Sequence, residues 1–118
     1  MIKMKKNNQG GNKMKTLFFV YGTLVYPDVR ERILGHTVFT KYDILTGFRK
    51  EGLNIKQSNN DEVKGITFEA TEEDVRKLDF YEGSYYKKIQ VKLESGRVAN
   101  VYCYKTEEIK NIEVVQYE

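Results

Sequence analysis

Two short runs carry residue types and spacings that can do chemistry. The first, Val20-Tyr21-Gly22-Thr23-Leu24, closes an apolar stretch that begins at Leu17. A strand that runs straight into Gly-Thr has to turn tightly, and glycine allows backbone geometry that a Cβ resists. Such a turn directs several N–H groups into one concavity, a seat for a carboxylate or a phosphate. The second run is Leu78-Asp79-Phe80-Tyr81-Glu82-Gly83. Helical spacing aligns Val75, Leu78, Asp79 and Glu82 on one face. Val75 and Leu78 turn that face toward the core, so Glu82 follows them inward at the helix's C-terminal end. Partial burial and the negative end of the helix dipole both disfavour a carboxylate there and raise its pKa. A carboxyl raised in this way suits a general acid/base at neutral pH. Each run also has a plainer reading: a strand-to-loop exit for the first, a frayed helix end with Glu82 in water for the second. Asp79 reads as a structural neighbour that holds the turn, and not as the base.

The elements that must position these runs follow from local pattern. Thr16–Tyr21 reads as a buried first strand. Pro27-Asp28 then opens a helix with Asp28 as N-cap, Val29, Ile33 and Leu34 as its apolar stripe, and Gly35 as its end. Val38 to Phe48 favours strand, with a bend or bulge at Gly47. A short strand over Leu53–Lys56, a polar loop from Gln57 to Glu62, and a third substantial strand over Val63–Ala70 follow. Thr71 is an N-cap for the second helix, with Glu72 and Glu73 at its positive end, Asp74 giving a weaker form of the capping box, and Gly83 stopping it. Two alternating strands, Tyr86–Leu93 and Arg97–Tyr104, flank Glu94-Ser95-Gly96 at hairpin spacing. From Thr106 the chain is polar and irregular. Strands outnumber helices, and helices do not recur at βα intervals, so the class is α+β with a mixed or barrel-like sheet.

Composition narrows the function classes. The 118 residues suffice for one domain with a core that needs no disulfide or metal staple. A single cysteine, Cys103, excludes an internal disulfide and fits a reducing cytoplasm. With one histidine, His36, as the other soft ligand, a zinc site is not expected. No apolar run approaches the roughly 20 residues that span a bilayer, and none forms a signal-peptide core. The net charge of +3 misleads, because Lys3, Lys5, Lys6, Lys13 and Lys15 crowd a stretch with no acid. Removing those five from the 20 basic residues leaves 15 against 17 acidic, so residues 16–118 carry −2. Residues 1–15 therefore read as a basic, disordered tail, and 16–118 as one domain. The nine tyrosines raise the possibility of base stacking, yet their places on alternating strands fit a barrel core and rim better. An acidic domain offers no basic stripe, so no specific nucleic-acid partner is expected. Cys103 falls with Val101 and Ala99 on a small apolar strand face and reads as a buried, inert thiol. His36 reads as a solvated loop residue or a helix-end partner.

Together these residues resemble the γ-glutamylcyclotransferase-like superfamily, particularly its AIG2-like branch. The likeness begins at Phe18-Phe19-Val20-Tyr21-Gly22-Thr23-Leu24 and continues through Pro27-Asp28-Val29 and Val63-Lys64-Gly65. It ends with Leu78-Asp79-Phe80-Tyr81-Glu82-Gly83, Tyr86 and the final strand pair, covering about residues 16–105. It implies a small mixed β-barrel flanked by short helices. It also implies that backbone N–H groups of Tyr21, Gly22, Thr23 and Leu24 hold the α-carboxylate end of a γ-glutamyl substrate. The family's catalytic glutamate falls on Glu82 and its following aromatic on Tyr86. The implied reaction releases 5-oxoproline and a free amine without cofactor or metal, from a small-molecule γ-glutamyl substrate. A catalytically silent module that binds a small carboxylate-bearing metabolite in the same cavity is the alternative. Many relatives carry arginine two residues after the tyrosine, where this chain has Lys88. The walls around Arg49–Asn60 are where contacts to the departing amine are expected.

Overall fold

A computed structural model describes residues 15–110. The basic tail predicted for residues 1–15 lies, Lys15 excepted, outside the described residues. In chain order the elements are β1 (Thr16–Val20), a single 3-10 turn (Thr23–Val25), α1 (Pro27–Leu34), β2 (Lys41–Glu51) and β3 (Asn54–Ala70). They continue with α2 (Glu72–Glu82), β4 (Tyr86–Lys92) and β5 (Val98–Tyr104). The strands form one mixed sheet in the order β2-β3-β1-β5-β4, curled into a half-barrel with two helices, an α+β fold.

β1 is central. It runs antiparallel to β3, pairing Thr16 with Ala70 and Val20 with Ile66, and parallel to β5, pairing Phe18 with Asn100. A strand covered on both faces reads as a continuous apolar run, and Phe18 and Phe19 are both fully buried, on opposite faces. Phe19 faces the inside of the curl with Leu45, Phe48, Ile55, Val63 and Val101. Phe18 faces the helix layer, where Leu24, Leu34, Phe68, Leu78 and Tyr102 meet it. The two helices thus bury the outer face of the sheet through Leu34 and Leu78.

Curling brings the β2 edge back to the β4–β5 hairpin. The Glu94 amide donates to the Ile44 carbonyl at 2.8 Å. The buried Asp43 carboxylate accepts from Ser95 Oγ at 2.6 Å, Arg97 Nη2 at 2.9 Å and the Ile44 amide at 2.8 Å. Burial pushes the Asp43 carboxyl up, but these donors together outweigh it and hold the group below its ordinary range.

Several expectations need correction. Asp28 does not cap α1: Tyr26 is the N-cap residue, with no side-chain bond, and Pro27 occupies the first turn, where its missing N–H costs nothing. β2 begins at Lys41 and runs on to Glu51, beyond the expected Val38–Phe48. The largest difference is the loop expected at Gln57–Glu62, which is part of one continuous 17-residue strand. β3 pairs with β2 from Glu51↔Asn54 to Lys41↔Thr67, and the register slips at Gly47, which has φ +85 and forms the predicted bulge. The stretch is polar because Asn59 to Glu62 are exposed, which erases the alternation by which a strand is recognised. The hairpin and the second helix stand where the pattern put them, with the Thr71–Asp74 capping box formed in both directions.

Candidate active site

The six residues singled out in the sequence (Tyr21, Gly22, Thr23, Leu24, Glu82 and Tyr86) line one cavity of about 300 Å³. β1 delivers the first four. Its ladder ends at Val20, and the chain closes the 3-10 turn with Val25 N–H donating to the Gly22 carbonyl at 3.1 Å. Among the described residues the amides of Thr23 and Leu24, at the head of that turn, take no backbone acceptor, as the geometry of a helix start dictates. Leu24 anchors the turn from below in the helix-side core. The loop is held from behind by Arg30, buried in α1, whose Nη1 donates to the carbonyls of Leu24 and Val25 at 3.1 and 3.0 Å. Arg30 went unremarked in the sequence. Its one signal is that it lies four residues before Leu34, on the buried side of α1.

Glu82 is the last residue of α2, and the helix does not fray before it: Gly83 N–H still donates to the Asp79 carbonyl at 2.9 Å. Leu78, one turn earlier, is fully buried and fixes the helix face. No hydrogen bond reaches the Glu82 carboxyl among the described residues. Burial alone pushes it up to about 7, so both protonation states are populated at neutral pH.

The aromatic residues build the remaining walls. Tyr21 donates its hydroxyl to the Tyr102 carbonyl at 2.7 Å, tying the loop to β5. Burial, with Tyr86 and Glu82 nearby, pushes the Tyr21 phenol well above its usual value. Tyr86 donates to the Leu53 carbonyl at 2.7 Å, which commits its proton to the β2–β3 turn and leaves its oxygen to accept. Burial, then Tyr104, and also Glu82, push this phenol up to about 12.

Leu53, Tyr81 and Tyr102 also line the cavity and were not singled out. Tyr81 bonds Thr23 across it, hydroxyl to hydroxyl at 2.6 Å. Tyr102 donates to Asp79 at 2.6 Å, and Lys88 donates to the other oxygen of that carboxylate at 3.0 Å. Asp79 therefore orients a wall residue, and Lys88 faces Asp79 without lining the cavity. The alternation that placed Cys103 with Val101 puts Tyr102 on the opposite face, a signal that would have found it. Cys103 itself is fully buried, and burial pushes its thiol up. His36 lies outside the site, with Nε2 2.8 Å from Asp74 Oδ1 beside the α2 capping box.

Among the described residues, no cluster of three or more His, Cys, Asp or Glu could hold a metal ion. No helix among them is long and apolar enough to cross a membrane.

A family model described as gamma-glutamyl cyclotransferase, AIG2-like, matches residues 18–118. Among solved structures, an Arabidopsis thaliana protein determined in solution is 24% identical with a TM-score of 0.69, covering 86% of this chain and 76% of its own. A second Arabidopsis thaliana protein is 22% identical with a TM-score of 0.68, covering 84% and 67%. A structure named gamma-glutamyl cyclotransferase is 20% identical with a TM-score of 0.67, covering 80% and 69%. At these identities the likeness shows the fold. No curated protein matches the chain.

Proposed function

This chain belongs to the AIG2-like gamma-glutamyl cyclotransferase family, and from that premise we propose that it cyclises a γ-glutamyl-amine or γ-glutamyl-amino acid to 5-oxoproline and a free amine. The observation that carries the proposal is a half-buried glutamate with a carboxyl near 7, sharing one small cavity with a turn whose amides lack acceptors. N–H groups between Gly22 and Leu24 anchor the α-carboxylate. Glu82, as the carboxylate, takes a proton from the α-amino group, and the freed nitrogen attacks the γ-carbonyl carbon. The five-membered ring closes and the C–N bond to the leaving amine breaks. The protonated Glu82 then gives its proton to that amine. One group serves both steps because its pKa lies close to the working pH.

The nucleophile is tethered to the carbonyl it attacks, so the protein's main task is to hold the folded conformer. Tyr86 orients: its proton is engaged by Leu53, so it braces the wall without polarising the substrate carbonyl as a donor. A silent binding module would have no need of a carboxyl poised between its two forms. Cytoplasmic residence fits the single buried thiol and completes the reading.

The experiment is an assay for 5-oxoproline over a panel of γ-glutamyl compounds, with Glu82→Gln in parallel. The variant is expected to fold and bind yet release at least about 1000-fold less product, in line with loss of a group that serves as both acid and base. The wild-type kcat/KM is expected to fall on the acid side with a midpoint near pH 7, as the carboxylate is lost. Comparable turnover by the variant would remove Glu82 from the mechanism.

A further inference from the structure

A second groove of about 390 Å³ adjoins the catalytic cavity and shares four of its walls: Tyr21, Gly22, Thr23 and Leu53. Its outer side carries Lys50, near the end of β2, and Lys64, on β3. Among the described residues no carboxylate lines this groove, and Glu82 lines the catalytic cavity and not this one. Lysines on an exposed sheet usually find partners or serve solubility, and several here do find them. Lys56 lies near Glu51 and Glu107, Lys77 near Glu73, and Lys88 bonds Asp79. Glu51, next to Lys50 in sequence, spends its carboxylate on Arg49 and Lys56. Among the described residues the side chains of Lys50 and Lys64 make no ion pair or hydrogen bond, and both ammonium groups stand at the rim of one groove.

We propose that this groove receives the amine half of the substrate and that Lys50 and Lys64 select amines bearing a free carboxylate. The preferred substrates are then γ-glutamyl-amino acids and short γ-glutamyl peptides, and conjugates of cationic amines such as polyamines are disfavoured. This rests on the cyclisation reading above. With the γ-carbonyl beside Glu82 and the α-carboxylate at Gly22–Leu24, the shared walls lead the other half of the molecule past the two lysines. Like charges in that groove repel a polyamine, and opposite charges draw in a carboxylate, most strongly at low ionic strength.

The test compares three probes: γ-glutamyl-alanine, γ-glutamyl-alaninamide and the γ-glutamyl monoamide of 1,4-diaminobutane. Release of 5-oxoproline gives kcat/KM for each at low and high salt. The wild type is expected to favour the alanine conjugate over its amide by about fivefold or more, the scale of exposed charge pairs acting together. That ratio is expected to fall toward one in Lys50→Gln/Lys64→Gln and in high salt, and to survive in Lys50→Arg/Lys64→Arg. Equal or inverted preference in a wild type that turns the probes over would overturn the groove assignment and leave cyclisation standing. The same probes are titrated calorimetrically against Glu82→Gln. A carboxylate preference in binding, lost with the lysines, in a protein whose wild type makes no 5-oxoproline would keep the groove and remove the cyclisation. Absence of any such preference in binding as well would remove both.

Discussion

The burial that would suit Glu82 to the proposed reaction carries a structural cost. Its carboxyl lies near 7 in the folded protein, above its ordinary 4.5, because burial disfavours the charge. Between those values the native state holds a proton that the unfolded chain has released. The associated stability is therefore complete below about pH 4.5 and lost as pH rises through about 7. With the shift discounted for solvent screening of a partly exposed group, Glu82→Gln is expected to gain about 2 kcal/mol over wild type at pH 8 and almost nothing at pH 4, read from denaturant melts at both values. Equal melts at pH 8 would mean that the carboxylate is solvated there. Glu82 could be read from sequence because everything that marks it is local: an apolar stripe one turn earlier and a glycine one residue later. The use of its neighbours could not. The Tyr86 proton goes to Leu53, 33 residues back, and no feature of either sequence neighbourhood announces that bond. Arg30 shows the same limit, since an arginine on an amphipathic helix usually points to water and this one is drawn inward by two carbonyls.

At the level of elements, α2 and β3 stand at opposite ends of legibility. The helix carries its start and stop in its own residues, so Thr71, Asp74 and Gly83 place it without reference to the rest of the chain. The 17-residue β3 depends on partners. Its polar middle, Ser58 to Asp61, falls at the slip in the ladder to β2, and the paired residues on either side carry the strand through it. Its closest approach lies at Gly65, where an added Cβ would stand 2.3 Å from the Val20 carbonyl and 2.8 Å from Phe19 Cζ. Backbone cannot yield there as a flexible side chain would. Gly65→Ala is expected to cost about 2–4 kcal/mol. It should also raise KM more than it lowers kcat, because the displaced strand end leads straight into the Tyr21–Leu24 turn. Thermal melts and steady-state kinetics check the two effects separately. A variant with native stability and native KM would show that β1 and β3 have room to part.

For the whole molecule, one buried carboxylate helps to close the curl, beside the Glu94–Ile44 backbone bond. Asp43 joins the β2 edge to a hairpin more than 50 residues later, through Ser95 and Arg97. Its pKa lies below the ordinary range, so its stabilising contribution is present above about pH 4 and fades as pH falls through the lower, folded value. Asp43→Asn is expected to lose about 2 kcal/mol at pH 7 and to converge with wild type in acid, as urea melts across pH would show. A constant gap at every pH would place the role in packing instead of charge. The fold class was legible because strands and helices alternate in a pattern few architectures accept. Closure was not, because an aspartate two residues into a strand gives no hint of its distant partners.

The place of β1 in the sheet bears on how the chain is made. Its first neighbour β3 follows it closely in the chain, but its second neighbour β5 is the last strand of the described residues. Until Val98–Tyr104 appears, a growing chain carries an open edge on its most apolar strand, beside Phe18 and Phe19. Such an edge invites pairing with other chains. Completion of that strand, then, is the event that turns a nascent chain prone to self-association into a closed sheet, and factors that shield nascent polypeptides would act on this one until Tyr104 has emerged.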